Sequence, residues 1–128
     1  MIETTVFTNF RFCQGNKPLT AIADEILNGK YETTIKLLHA GDPATAERIK
    51  KSLEAFTVSA TYRKTRKEPD MIGYNPLLIL DIDKLAPEAI PRLRSLINEA
   101  PYTIYSFLSP GGQGLKIIAC SAVDIEQF

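Results

Sequence analysis

The chain has 128 residues, 45% of them hydrophobic, and its 15 Lys+Arg are balanced by 15 Asp+Glu. That length fits one domain around a single core, and a net charge of zero gives no overall attraction to nucleic acid, so only local clustering can supply one. No apolar stretch approaches the ~20 residues of a membrane helix, and Met1 to Phe12 lacks the basic start and long apolar run of a secretory signal. A soluble, cytoplasmic protein is expected. Cys13 and Cys120 are far apart, with no CxxC and no companion histidines, which excludes a zinc site and favours reduced thiols over a disulfide.

Glu3 to Phe12 alternates loosely through Thr4, Val6, Thr8, Phe10 and Phe12, a strand pattern that Gly15-Asn16-Lys17-Pro18 should break. Leu19, Ile22, Ala23, Ile26 and Leu27 recur at helical spacing, and Gly29 stops that helix. Tyr31 to Ala40 is a second short helix. Asp42-Pro43 starts a third, with Asp as N-cap and Pro in the first turn, and it is expected to run to about Phe56. Phe56 to Tyr62 alternates as one strand. Arg63-Lys64-Thr65-Arg66-Lys67-Glu68-Pro69-Asp70 is the most basic run in the chain. It reads either as a solvated loop or as a loop whose Arg63, Lys64, Arg66 and Lys67 contact nucleic-acid phosphates.

Leu77 to Asp83 is a continuous apolar run ending in acids, as expected of a buried strand. Pro87 to Ala100 places Ile90, Leu93, Leu96 and Ile97 on one helical face, with Pro87 and Pro91 near its start. Tyr102 to Leu108 and Leu115 to Ser121 are two further strands, joined by the turn Ser109 to Gly114. The fold class is α/β in the α+β sense: an N-terminal helical and strand unit, then a β-α-β-β sheet of ferredoxin-like, RNA-recognition-type plan. A single domain spans residues 1–128, with 1–70 as lead-in and 77–121 as the core that carries the site.

That plan makes the first and third strands of the sheet antiparallel neighbours. Asp81 and Asp83 share one strand face, and the topology brings them beside Gly114 and Lys116. Two such carboxylates suit Mg²⁺ or Mn²⁺. Ser109, Gly111, Gly112 and Gly114 let backbone N–H groups approach phosphate oxygens, and Lys116 supplies a point charge. The competing reading is structural: Asp83 caps the next helix, and the glycines serve a hairpin that needs positive φ. An acid with only that structural role should point away from Lys116. His39, near a helix end, has no catalytic partner in view. Tyr102, Tyr105 and Phe107 read as core or sheet-face residues, with Tyr105 a candidate for base stacking.

Three segments together resemble a known family. Lys50-Lys51-x-Leu53-x-Ala55-Phe56-Thr57-x-Ser59, Leu78-Ile79-Leu80-Asp81-Ile82-Asp83-Lys84-Leu85 and Ser109-x-Gly111-Gly112-x-Gly114-Leu115-Lys116 look like the N-terminal domain of virulence-associated-protein-E-like proteins. The resemblance covers roughly Phe10 to Ala119. It implies a place in the archaeo-eukaryotic primase and primase–polymerase superfamily, and a mobile-element DNA-replication protein that binds nucleotide and DNA or RNA. It implies Asp81 and Asp83 as metal-binding catalytic acids. It also puts Lys116 where those primases carry a histidine. The chain reaches Phe128 before a second helix or a fourth strand that could carry a third acid of the metal site. The sheet is therefore expected to be truncated, with nucleotidyltransferase activity reserved for a longer parent, or its edge is covered by another segment such as Glu3 to Phe12. The alternative is a non-catalytic regulatory or docking module for a fused helicase or primase region.

Overall fold

The computed structural model describes residues 2–9 and 11–120. Their backbone is mixed α+β, with four α-helices and three small antiparallel sheets among the described residues. The chain divides into two compact units, Met1–Asn75 and Pro76–Phe128.

In the first unit, β1 (Glu3–Thr8) is the central strand, flanked by β2 (Phe12–Pro18) and β3 (Ala55–Thr57). The predicted single strand from Glu3 to Phe12 ends at Thr8, and its Phe10 lies outside the described residues. Residues 15–18, expected to break the strand, instead belong to β2, which pairs with β1 from Glu3↔Pro18 to Thr8↔Phe12. An edge strand tolerates both Gly and Pro, because its outer backbone groups need no ladder partner. A bulge at Val6/Phe7 and the positive φ of Gly15 (118°) absorb the irregularity. Thr4, Thr5, Val6 and Phe7 are all buried. The two threonines are tolerated there because their hydroxyls are satisfied: Thr4 Oγ1 donates to Lys17 O (2.9 Å). Thr5 Oγ1 donates to Asn16 Oδ1 (2.7 Å) and accepts from Tyr62 N (2.8 Å).

The helix α1 (Leu19–Leu27) buries Leu19 and Ile22, and Gly29, at φ 79°, takes the chain out of it. Next come α2 (Glu32–Ala40) and α3 (Pro43–Ser52), which pack on each other. Asp42 caps α3 as expected, its side chain accepting from Thr45 N at 2.7 Å. That helix ends at Ser52 rather than near Phe56, since Phe56 is claimed by β3 and pairs with Val6. The expected strand from Phe56 to Tyr62 is two strands. Thr57 Oγ1 donates to Ala60 O (2.7 Å) across the corner, and β4 (Ala60–Tyr62) then pairs with β5 (Met71–Tyr74) in a separate sheet. Asn75 fastens the end of the unit by donating to Glu3 O and Val58 O.

The second unit has β6 (Leu77–Ile82), α4 (Ile90–Glu99), β7 (Thr103–Leu108) and β8 (Leu115–Cys120), in sheet order β6-β8-β7. Elements and order agree with the β-α-β-β reading, down to Pro91 in the first turn of α4. Ser106 of β7, opposite Ile117, donates to Asn98 Oδ1 of α4, so α4 covers the face that also carries Leu115, Ile117 and Ala119. One expectation fails. β6 is not a buried strand: Leu78, Ile79 and Leu80 are 41–47% exposed, because β6 lies at a sheet edge and is paired only with β8 among the described residues. Glu3–Phe12 does not complete this sheet, since β1 is the centre of its own. The expectation that residues 122–128 supply at most one turn lies outside the described residues, as does Ser121. Cys13 and Cys120 are both free thiols.

Candidate functional site

Strand alternation fixes the site at one end of the β6–β8 ladder. Asp81 and Lys116 are register partners, and Lys116 Nζ donates to Asp81 Oδ1 at 2.9 Å. Both lie on the sheet face opposite α4, because their neighbours Leu80 and Ile117 pair on the covered face. Asp81 thus points at Lys116, contrary to what a purely structural acid should do. Asp83 is not the N-cap of the following helical turn either: that position is Ala86, which has no capping side chain.

The glycine turn closes on the same end. Ser109 N donates to Gly114 O (3.0 Å), and Gly112 N donates to Ser109 O (2.9 Å). Gly112 has φ 77°, the positive value that favours glycine. Gly114 is required for a different reason. A Cβ there would sit 2.6 Å from Ile82 O, 3.1 Å from Ser109 Oγ and 3.3 Å from Asp83 Oδ1. The absence of a side chain at 114 therefore lets the turn lie flat against the end of β6, with Asp83 and Ser109 alongside. Leu85 N donates to Gln113 O (2.7 Å), joining the segment after the acids to the turn. Gly111 is open, with nothing within 4 Å of a would-be Cβ.

The arrangement therefore brings together Asp81, Asp83, Ser109, Gly114 and Lys116, drawn from segments more than 25 residues apart. Asp81 and Asp83 are exposed and Lys116 is partly so, which leaves the group open to a solute. Among the described residues no group of three or more His, Cys, Asp or Glu is placed to hold a metal ion. Two carboxylates are enough for Mg²⁺ when phosphate oxygens complete the shell, because Mg²⁺ is commonly held by one or two carboxylates plus substrate phosphates. Tyr105 and Phe107 are half-buried and Tyr102 is 51% exposed. His39 lies in the last turn of α2.

The basic run belongs to the first unit, and its conformation is well defined. Asp70 accepts from Thr65 N (3.0 Å) and from the Thr65 hydroxyl, and Arg63 N donates to Asp70 O (2.8 Å). These bonds from Thr65, then the positive field of Arg63 and Lys64, hold the Asp70 carboxyl below its ordinary range. Arg66 stacks over the Phe7 ring at 5.9 Å. Arg63 and Lys64 instead line a groove together with Arg11, Phe12 and Gly15 of the β1–β2 hairpin. Arg11 and Phe12 carry no motif that singles them out in the sequence; a cation beside an aromatic is the only signal.

With this geometry in place, the family can be assigned. A family model described as BT4734-like, N-terminal domain, matches residues 48–127, which is more than half of the chain. The chain belongs to that family. The match corrects the resemblance to virulence-associated-protein-E-like proteins, and the primase-like, mobile-element and replication readings that came with it are withdrawn. No curated protein and no solved structure matches the chain. Among the described residues no helix is long and apolar enough to cross a membrane.

Proposed function

We propose that the end of the β6–β8 ladder binds the phosphate groups of a nucleotide together with Mg²⁺ or Mn²⁺. Asp81 and Asp83 take the cation; Lys116 and the turn from Ser109 to Gly114 take the phosphate. On this reading the β-α-β-β sheet is of the ferredoxin-like plan, which places a lysine strand beside an acid strand.

One observation carries the reading: Asp81 and Lys116, 35 residues apart, meet at 2.9 Å on an exposed sheet end that the glycine turn also reaches. Lys116 neutralises Asp81 through this contact. Asp81 and Asp83 would hold a divalent cation, and with Asp81 so engaged Lys116 would be free to meet a phosphate, for which lysine is a suitable point charge. Metal and phosphate should then bind together better than either alone, which is positive coupling between the two ligands.

Calorimetric titration with Mg²⁺ or Mn²⁺, with a nucleoside triphosphate, and with both tests this. The expected result is triphosphate binding that needs the metal and is lost in Asp83→Asn. Asp81→Asn should lose the metal dependence, and Lys116→Met should weaken the triphosphate more than the metal. Heats that are absent, or unchanged in Asp81→Asn and Asp83→Asn, would sink the reading.

A further inference from the structure

The unit Met1–Asn75 carries a second feature, independent of the acid–lysine site. A groove of about 530 Å³ is lined by Arg11, Phe12, Gln14, Gly15, Arg63 and Lys64, with Cys13 and Thr65 completing its wall. That volume is in the ~300–1,000 Å³ range of ligand pockets. The lining contains three cations and no carboxylate. None of Arg11, Arg63 and Lys64 is in an ion pair among the described residues, although 9 Asp+Glu are available in residues 1–75. Lys17 and Lys30 of the same unit, by contrast, are engaged by Glu25 and Glu54. The lining of the groove thus carries a local excess of positive charge, with Asp70, outside the lining, in the field of Arg63 and Lys64.

Phe12 supplies the second half of the argument. It is 68% exposed, at the start of the edge strand β2, and lines the same groove as Arg11 of the hairpin and Arg63 and Lys64 of the loop. The groove is also held in shape. Asp70 pins the loop through Thr65, the β1–β2 ladder pins Phe12, and the bulge with Gly15 re-aims the edge strand.

We infer that this groove binds single-stranded nucleic acid, with Arg11, Arg63 and Lys64 on the phosphates and a base stacked on Phe12. An exposed aromatic among unpaired cations in a concave surface meets both needs of an unpaired strand, a backbone track and a stacking platform. A duplex keeps its bases inside and has no use for the ring. An acidic peptide would use the cations but gains little from one flat aromatic. The inference does not rest on the metal–phosphate site, which needs Asp81 and Asp83.

The test is fluorescence anisotropy of labelled oligo-dT and oligo-rU against the full chain, in EDTA and low salt, so that the metal-dependent site is silent. Single strands should bind more tightly than a duplex of equal length. Binding should weaken with salt, with a log–log slope of about −2 for three phosphate contacts on a single strand, and each of Arg11→Ala, Arg63→Ala and Lys64→Ala should reduce that slope by about 0.7. Phe12→Ala should cost about 5- to 150-fold in affinity, whereas Phe12→Trp retains it. The same oligonucleotides carrying 4-thiouridine should crosslink the unaltered chain within residues 11–15 or 63–65. The inference is overturned by crosslinks elsewhere. It is equally overturned by equal affinity for duplex, heparin or anionic vesicles together with indifference to Phe12→Ala, which would leave only a general anion surface. Persistence of binding in Asp81→Asn/Asp83→Asn separates this groove from the other site.

Discussion

Replacing Gly114 by alanine is the most direct probe of how the acid strand and the glycine turn are joined. The added Cβ would lie 2.6 Å from Ile82 O, where ordinary contact begins at 3.4 Å, so β6 and the turn must separate by about 0.8 Å. The obstacle is a backbone oxygen in a paired strand, not the far end of a flexible side chain. Ser109 Oγ and Asp83 Oδ1, at 3.1 and 3.3 Å, crowd the same methyl from other sides. Overpacking of this kind costs about 1–3 kcal/mol. With an m-value of about 1–3 kcal/mol/M for a small protein, the urea midpoint should fall on the order of 1 M. Gly111→Ala is the matched control, since nothing lies within 4 Å of its would-be Cβ. It should be neutral or gain up to about 1 kcal/mol from the stiffer unfolded chain. Equal midpoints for the two variants would refute the close approach of turn and strand, and with it the placement of Asp83 against Gly114.

Further outcomes follow from the charged groups. A double-mutant cycle of Asp81→Ala and Lys116→Ala should return a coupling of only about 0.2–1 kcal/mol, because the pair is 49% and 31% exposed, and urea melts in 1 M salt should diminish it. In the first unit, the hydrogen bond from Lys17 holds the Glu25 carboxyl below its ordinary 4.5. For Glu54 burial pushes upward, but bonds from Lys30, Tyr31 and Gln14 outweigh it and the net shift is downward. Both folded-state values are depressed, so the stability they confer is complete above about pH 4.5 and is lost as pH falls through the folded values. Lys30→Met should flatten that acid limb in urea melts taken from pH 6 downward. Burial, then the bond to Glu54, raises the Tyr31 phenol to about 12. Its contribution is therefore intact below pH 10 and fades between 10 and 12, and the ultraviolet phenolate band should show one late-titrating tyrosine that Tyr31→Phe removes. Asp42→Ala should lower the thermal and urea midpoints through loss of the cap on α3.

The second half of the chain was the more legible because its elements have distinct periods. Leu77 to Ile82, the helix after Pro87 and Thr103 to Leu108 alternate between apolar run, helical stripe and β-rich run, and the order β6-β8-β7 follows from that arrangement. What the run Leu77-Leu78-Ile79-Leu80 does not encode is whether it has neighbours on one side or two. An edge strand and a buried strand read alike when both are apolar. In the first half, local rules misled at three places. Gly15 and Pro18 look like breakers, yet an edge strand with a bulge accommodates them. Phe56 continues the helical spacing of α3, but pairing with Val6 captures it for the sheet. Phe56 to Tyr62 alternates without interruption, and only the Thr57–Ala60 hydrogen bond reveals the corner. The first two were decided by pairing with β1, distant in sequence, and the third by a local corner that hands β3 and β4 to different sheets. The candidate sites divide in the same way: Asp81, Asp83 and Lys116 were legible as a group because strand topology alone brings them together. Arg11 and Phe12 were not, because their connection to Arg63 depends on how a hairpin and a loop share one wall.

The charge balance is the clearest case of what an average conceals. Across the chain it is zero, which removes any general argument for a polyanionic partner. Divided at Asn75, 11 Lys+Arg face 9 Asp+Glu in the first unit, and 4 face 6 in the second. The difference matters less than its distribution. Lys116 is compensated by Asp81, so a phosphate there would have to compete with a carboxylate, and on the proposed reading a divalent cation would remove that competitor. Arg11, Arg63 and Lys64 are in no ion pair among the described residues, and the Asp70 carboxylate, which is hydrogen-bonded to Thr65, meets Arg63 and Lys64 only through its field, so a phosphate backbone should approach them without a metal. The two sites therefore differ in one decisive property: the first should respond to chelation and the second should not. Measuring nucleotide and oligonucleotide binding with and without EDTA on the same preparation separates them, because EDTA should abolish the first and leave the second intact.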